Sequence, residues 1–492
     1  MTPPSPRPSP PRGGREGRRE PGACGLAARA GTILALLLPA LAACEVGPDY
    51  ARPPVDAPPA YKEAGPGWKV GEPRLAGSDG AWWSVYGDPD LDRLMRQIDI
   101  SNQNLKASEA AFRQARALTA EARSGLFPTV TANAGLRGVS QNGTGSQTEY
   151  SLAGGLSWEL DIWGKIRRSV ESASANAQAS AADLAAARLS AQSELAADYF
   201  QLRVADELKR LLDASAAAFE RSLQITRNRY AAGTAARTDV AQAETQLEST
   251  RAQAINVGVQ RAQLEHAIAI LIGKPPAELT LPPKPFVLTV PTTPPGLPSA
   301  LLERRPDIAA AERTMAAANA QIGVAVAAFY PDLTLSGSYG FTSLTLGGLI
   351  SASNAVWAVG PSLALTVFDA GNRSAQVEQA RAAYDQDVAL YRQTVLTAFQ
   401  QVEDQLAALD ILARSAEVED RAVRAGKEAE RLALNQYEAG TVDYTVVITA
   451  QTNSLANQQA ALNIAQSRIL ASVSLIAALG GGWSAALLPA GG

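Results

Sequence analysis

NRYAAGTAARTDVAQAET, residues 228–245, realigns without a gap on NQYEAGTVDYTVVITAQT, residues 435–452, at a constant offset of 207. Asn228/Asn435, Tyr230/Tyr437, Gly233/Gly440, Thr234/Thr441, Thr238/Thr445 and Val240/Val447 pair in that register, and Gly273/Gly480 still keep it at the far end. A second match, LFPTVTANAGL from 126 and FYPDLTLSGSY from 329, lies 203 to 207 residues apart, so the copies differ slightly in their loops. The chain of 492 residues is therefore two tandem units rather than several unrelated domains.

Working outward from the Tyr-x-x-Gly-Thr turns, each is preceded by a stretch almost free of helix breakers, Lys165–Tyr230 and Asn372–Tyr437. At 1.5 Å per residue, roughly 65 residues form a rod of about 100 Å, far longer than an ordinary globular helix. Alanine is abundant and aromatics are only 6%. That suits closely approaching helices better than a bulky core. After each turn a returning helix of roughly 35 residues is expected. It should stack end to end with the helix preceding each hairpin, 92–124 and 302–328, to match the long rod. A segment with nine prolines, 275–298, separates the units and can be neither helix nor central strand.

Just before each long helix the period changes from 3.6 to 2. Thr129, Thr131, Asn133, Gly135 and Arg137 alternate with Val130, Ala132, Ala134 and Leu136. Tyr150, Leu152, Leu156, Trp158, Leu160 and Ile162 alternate with small or polar residues. The second copy repeats this in Leu333, Leu335, Tyr339 and Phe341, then in Trp357, Val359, Leu363, Leu365 and Val367. Polar loops are expected at 139–149 and 342–354. Strands of this length with one apolar face are what a transmembrane barrel needs. Four strands cannot close a barrel, and open edges are not tolerated in lipid, so copies must associate. Two copies would give eight strands with a filled interior; three would give twelve and a channel.

The long apolar run GTILALLLPALAAC, residues 31–44, is too short to span a bilayer and reads as the core of a secretory leader, residues 1–43. Leu41-Ala42-Ala43-Cys44 resembles a bacterial lipobox, which would make Cys44 a lipidated mature N-terminus. The Pro- and Gly-rich residues 44–80 then form an extended arm that must gain order by lying on the body. Cys24 lies in the leader, so no mature disulfide is expected despite an oxidising compartment. Residues 1–43 carry six Arg against two Glu, so with a net charge of −4 overall the rest carries 38 Lys and Arg against 46 Asp and Glu, or −8. Nucleic acid is an unsuitable partner for such a surface.

No catalytic, metal or cofactor site emerges. His266 is the single histidine, so neither a His/Cys zinc site nor a Ser/His/Asp triad can be assembled around it with any local motif, and it is expected to be packed or capped. Gly480-Gly481-Gly482 ends a helix and reads as a cap, not a phosphate cradle. Glu159 and Asp161 are placed as lumen charges near the periplasmic end of the barrel rather than as an acid–base pair.

CEVGPDYARPPV from Cys44, WWSVYGDPDLDRL from Trp82, WELDIWGKIRRS from Trp158 and LLERRPDIAAAERTMAAANAQIGVAVAAFYPDLTLSGSYG from Leu301 together resemble the TolC-like outer membrane factors, most closely the NodT-type efflux lipoproteins. The resemblance covers essentially all of the mature chain. It implies a mixed fold, all-α with transmembrane β: a homotrimer whose twelve-stranded barrel, four strands per chain, continues into a long α-helical periplasmic barrel. The division is then a signal peptide 1–43, an arm 44–80, a first efflux repeat 81–275 (hairpin 126–163, tip 228–240), a linker 276–300 and a second repeat 301–485 (hairpin 329–368, tip 435–449).

It further implies no enzyme but the exit duct of a tripartite pump, lipid-anchored in the outer membrane of a Gram-negative bacterium. The partners would be a periplasmic adaptor, an inner-membrane transporter of the resistance-nodulation-division class and outer-membrane lipid, with no cofactor beyond the lipid on Cys44. Adaptor docking and gating fall at the tips, on Tyr230, Gly233, Thr234, Thr238, Asp239, Tyr437, Gly440, Thr441, Asp443, Tyr444 and Thr449. Asp239 matches an aspartate that hydrogen-bonds a tyrosine of the second tip, here Tyr437; the alternative is a simple helix-start residue. Val442 stands where some relatives carry a gating arginine, and Val446 and Thr449 where relatives carry aperture aspartates, so Asp443 and Tyr444 are expected to form the narrowing. Type I secretion and metal-ion efflux remain alternative cargoes, and a soluble periplasmic coiled-coil scaffold remains the alternative of another class.

Overall fold

The computed structural model describes residues 45–63, 80–140, 146–286, 290–291 and 298–489. The expected leader, residues 1–43, and Cys44 lie outside them.

Two helices of equal length dominate, α3 (Lys165–Ala231) and α6 (Asn372–Glu438), 67 residues each. Each folds back on a 35-residue partner, α4 (Arg237–Leu271) or α7 (Tyr444–Ala478), to make two antiparallel coils. On the other side of the hairpins, α2 (Gln103–Ser124) lies along α3, and α5 (Pro306–Ala327) lies between α3 and α6. The helix expected over 92–124 is instead two, because Asn102 leaves the helix at φ −62°, ψ 120° between α1 (Pro89–Ser101) and α2. The one expected over 302–328 is likewise interrupted at Arg305, where Pro306 opens α5.

Both breaks are junctions. Asn102 accepts from Leu105 N at 3.1 Å, capping α2, and donates to the Leu271 carbonyl at 2.8 Å, capping the end of α4. In the second unit Arg305 makes only the second of these bonds, donating to Ala478 O at 3.1 Å at the end of α7. At the first junction one side chain thus satisfies groups that two abutting helix ends would leave orphaned. The glycine closing each returning helix is forced by this approach: a Cβ on Gly273 would lie 2.1 Å from Ser101 O, and one on Gly480 2.1 Å from Arg304 O. The pair that held the repeat register is the pair that lets the helices stack.

The four strands form one antiparallel sheet in chain order: β1 (Thr129–Ser140), β2 (Ser146–Leu160), β3 (Asp332–Ser343) and β4 (Ala355–Ala364). The register aligns like with like. Val130, Leu156, Gly337 and Val359 form one row, and Ala132, Gly154, Tyr339 and Trp357 the next, while Thr129, Ser157, Ser336 and Gly360 occupy the opposite face. The apolar rows are uncovered, with Trp357 72% and Val359 70% exposed. Two strand boundaries differ from expectation. β2 stops at Leu160 and β4 at Ala364, so Ile162, Leu365 and Val367 lie past the sheet, where the chain turns into the long helices. The first loop is also shorter than 139–149, with 141–145 outside the described residues.

Around the middle, Trp82, Leu91, Leu94, Met95 and Ile98 bury against Leu195, Tyr199 and Leu202 of α3 and Ile268 and Ile272. Asp88 starts α1 as N-cap, with Pro89 at its first position, and accepts the Tyr199 hydroxyl at 2.7 Å.

Residues Glu45–Glu63 run extended along the body. Val46 N donates to Trp163 O at 3.1 Å, Asn319 to Pro48 O at 3.0 Å, and the Tyr50 hydroxyl to Glu312 at 2.5 Å. Arg168, only 3% exposed, pairs with Glu45 at 3.3 Å and Asp49 at 2.7 Å. Gly47 passes so near Gly323 that a Cβ would lie 2.4 Å from its Cα. The arm therefore touches the first unit through Arg168 and the second through Glu312, Asn319 and Gly323.

Candidate functional site

The two tips are built by the same local chemistry. At the first, Gly233 takes φ +72°, and both the backbone N–H and the hydroxyl of Thr234 donate to Arg229 O, at 2.8 and 3.1 Å. At the second, Gly440 takes φ +76° and Thr441 does the same to Gln436 O, at 3.0 and 2.9 Å. Glycine supplies the left-handed residue that ends the helix, and threonine bonds one carbonyl of the last turn twice.

Beyond the turns the tips diverge. Tyr230 is 45% exposed, whereas its counterpart Tyr437 is 2% exposed and sits between the coils. The Tyr437 hydroxyl donates to Thr226 of α3 at 3.3 Å, its ring meets Tyr444 edge to face at 5.5 Å, and Gln451 of α7 donates to Ser222 of α3 at 2.9 Å. Phe219, Leu223, Val240, Leu247, Val447 and Leu455 complete this core. The guanidinium of Arg229 lies over the Tyr437 ring at 4.4 Å and donates to the Tyr437 carbonyl. Burial, then the nearby charges of Tyr437 and Asp239, pushes the Tyr444 hydroxyl up to about 12.

Two expectations are corrected here. Asp239 does not bond Tyr437; its carboxylate accepts from Ala236 N at 3.2 Å and opens α4, the helix-start role. Tyr444, 1% exposed, is enclosed between the coils and does not line an opening, while Asp443, at the N-cap of α7, is exposed. Thr238 and Thr449 are exposed, and the Thr449 hydroxyl returns to Thr445 O at 2.7 Å.

At the other end, Asp161 is not a free lumen charge. It accepts from Ile166 N and Arg167 N, each at 2.9 Å, and pairs with Arg167 at 3.1 Å, holding the first turn of α3. Asp369 does the same for Arg373 and α6. Glu159 stays on the polar face beside Lys165 at 3.1 Å. His266, expected to be packed, is exposed on α4. No cluster of three metal-binding side chains occurs among the described residues.

The outer membrane efflux protein family matches residues 94–274 and 297–481, both repeats and most of the chain. This chain belongs to that family. The probable efflux pump outer membrane protein TtgC of Pseudomonas putida is 32% identical over 454 residues, covering 90% of this chain and 93% of its own. Outer membrane protein OprJ of Pseudomonas aeruginosa is 33% identical, covering 92% and 96%. The solved outer-membrane channel OprN superposes with a TM-score of 0.83 at 32% identity, over 89% of this chain and all of that one. The fold is thus TolC-like, and this efflux protein is an outer-membrane exit channel.

For the efflux protein, the residue that sequence reading missed is Arg229. Its repeat counterpart is Gln436, so the duplication hides it, and an arginine in a long helix reads as a solvated face. The only sequence signal is that difference between NRY and NQY.

Proposed function

We propose that three copies of this chain close a twelve-stranded barrel and form the outer-membrane duct of a tripartite pump, passing small molecules without acting on them chemically. The observation that carries this is the sheet: one face mostly apolar and largely uncovered, the other mostly small or polar, and each edge strand unpaired on its outer side. Such a sheet is stable in lipid only when closed by further copies. Twelve strands leave a lumen that eight would fill.

In this reading Cys44 carries the lipid, and the arm beginning at Glu45 ties it to the body. The tips take the hairpins of a periplasmic adaptor at the surfaces around Tyr230, Gly233, Thr234 and Thr238 and around Gly440, Thr441, Asp443 and Thr449. The adaptor links them to an inner-membrane transporter of the resistance-nodulation-division class. Arg229, Tyr437 and Tyr444 hold the resting position of the coils.

The test is expression with the leader in a Gram-negative host, palmitate labelling, membrane fractionation and sizing in detergent. A labelled outer-membrane trimer, with labelling abolished in Cys44→Ala, supports the duct. A soluble, unlabelled periplasmic monomer would instead establish the coiled-coil scaffold.

A further inference from the structure

Charges are sparse on the hairpins, and most are matched one to one. On the polar face Arg137 and Glu149 stand opposite each other in register and pair at 3.2 Å. At the base Asp161 pairs with Arg167 at 3.1 Å and Asp369 with Arg373 at 2.6 Å. The exception is a group of three. Lys165, the first residue of α3, lies 3.1 Å from Glu159 and 3.6 Å from Asp332. One ammonium serves two carboxylates, so this group carries one net negative charge.

The sheet register says which way these groups face. Glu159 is paired with Thr334, and Asp332 lies two residues from Thr334 on the same strand, so both carboxylates share the face of Ser157 and Ser336, opposite Leu156, Trp158 and Leu335. That face cannot lie in hydrocarbon and must meet water. The three side chains are open to it, at 39% for Lys165, 39% for Glu159 and 52% for Asp332. Beneath them a cavity of about 400 Å³ reaches from Lys165 past Gln321 and Gln376.

We propose that Glu159, Lys165 and Asp332 form a charge-selecting collar where the barrel meets the helical tunnel, and that it makes the duct prefer cations. This rests on the trimeric duct above, in which three copies set about three uncompensated negative charges on one ring. A ring of like charge around water, with low-dielectric walls, concentrates counter-ions and selects among permeant charges.

The test is the reversal potential of the purified full-length protein in planar bilayers under an about tenfold KCl gradient. Wild type should favour K⁺ over Cl⁻. Lys165→Gln doubles the net charge and should raise the permeability ratio by about two- to threefold. Asp332→Asn, or Glu159→Gln if the first variant fails to assemble, cancels the charge and should bring the ratio near one. The double variant Glu159→Gln/Asp332→Asn leaves Lys165 alone and should reverse the sign of the potential. The differences should shrink in about 1 M salt, where screening falls to roughly 3 Å. Equal reversal potentials across assembled, conducting variants would overturn the collar while leaving the duct standing. A folded wild type that never conducts would overturn the duct itself.

Discussion

Arg229, in the last turn of α3 two residues before its end at Ala231, reaches the second unit and stacks 4.4 Å from the ring centre of Tyr437 while donating to that residue's carbonyl oxygen. One side chain thus ties the end of α3 to the end of α6, 208 residues away. The tie is a cation on an aromatic face, partly shielded from water, and such contacts are worth about 1–2 kcal/mol.

Removing it should loosen the coils without unfolding them. Arg229→Ala is expected to raise the open fraction of the channel about 5- to 30-fold, the equivalent of that energy. Arg229→Lys should recover only part of the closure, because a lysine lacks the planar fork. Single-channel recordings measure both, and identical open fractions in all three proteins would remove Arg229 from the tip's closure.

The arm makes its own prediction. Arg168→Met removes the partner of Glu45, Asp49 and Glu171, but Asp49 is well solvated, so the cost is about 1–2 kcal/mol rather than that of a fully buried pair. The expected signature is a lower Tm together with new protease cleavage within residues 45–63. Cys44→Ala, which leaves the clasp intact, should keep the wild-type cleavage pattern.

Glycines at the junctions and at the tips should respond differently. Gly480→Ala forces a Cβ to 2.1 Å from Arg304 O at φ +93°, and is expected to cost about 3 kcal/mol or more. Gly233→Ala meets open space at φ +72° and should cost about 1 kcal/mol. Thermal unfolding of the two variants in the same detergent distinguishes them.

Asp198 on α3 predicts a pH dependence. Burial first, and then the charge of Glu194, pushes its carboxyl up to about 6 from 3.8. Its folded value lies above its unfolded one, so the folded state binds the extra proton between those values. Its contribution to stability is therefore lost as pH rises from about 4 to 6. Asp198→Asn should stabilise the protein by about 1 kcal/mol above pH 7, allowing for screening of a half-exposed group, and should change little below pH 4. Tm measured against pH for the two proteins checks the sign.

The legible parts of the site were those made by neighbours in sequence. Tyr-x-x-Gly-Thr specifies its turn because glycine's left-handed φ and threonine's second hydrogen bond act within six residues, wherever the helix is packed. Strand alternation likewise specifies which face is apolar, although not that β2 ends at Leu160, since Asp161 is committed to α3.

The break at Asn102 was not legible, because an asparagine among helix formers gains its capping partner only when Leu271 is brought beside it. The burial of Tyr437 and exposure of Tyr230, two residues identical in the repeat, were decided by packing: Tyr437 of α6 lies against Thr226 of α3, whereas Tyr230, on α3 itself, is left 45% exposed. The sequence alone determined the duplicated plan, the long rods, their turns and the amphipathic hairpins, because each depends on local periodicity or turn chemistry. Only the tertiary structure decided the Arg229–Tyr437 tie, the Arg168 clasp and the Glu159–Lys165–Asp332 group, because their partners meet across long chain separations or different elements, where pairing depends on packing and not on spacing.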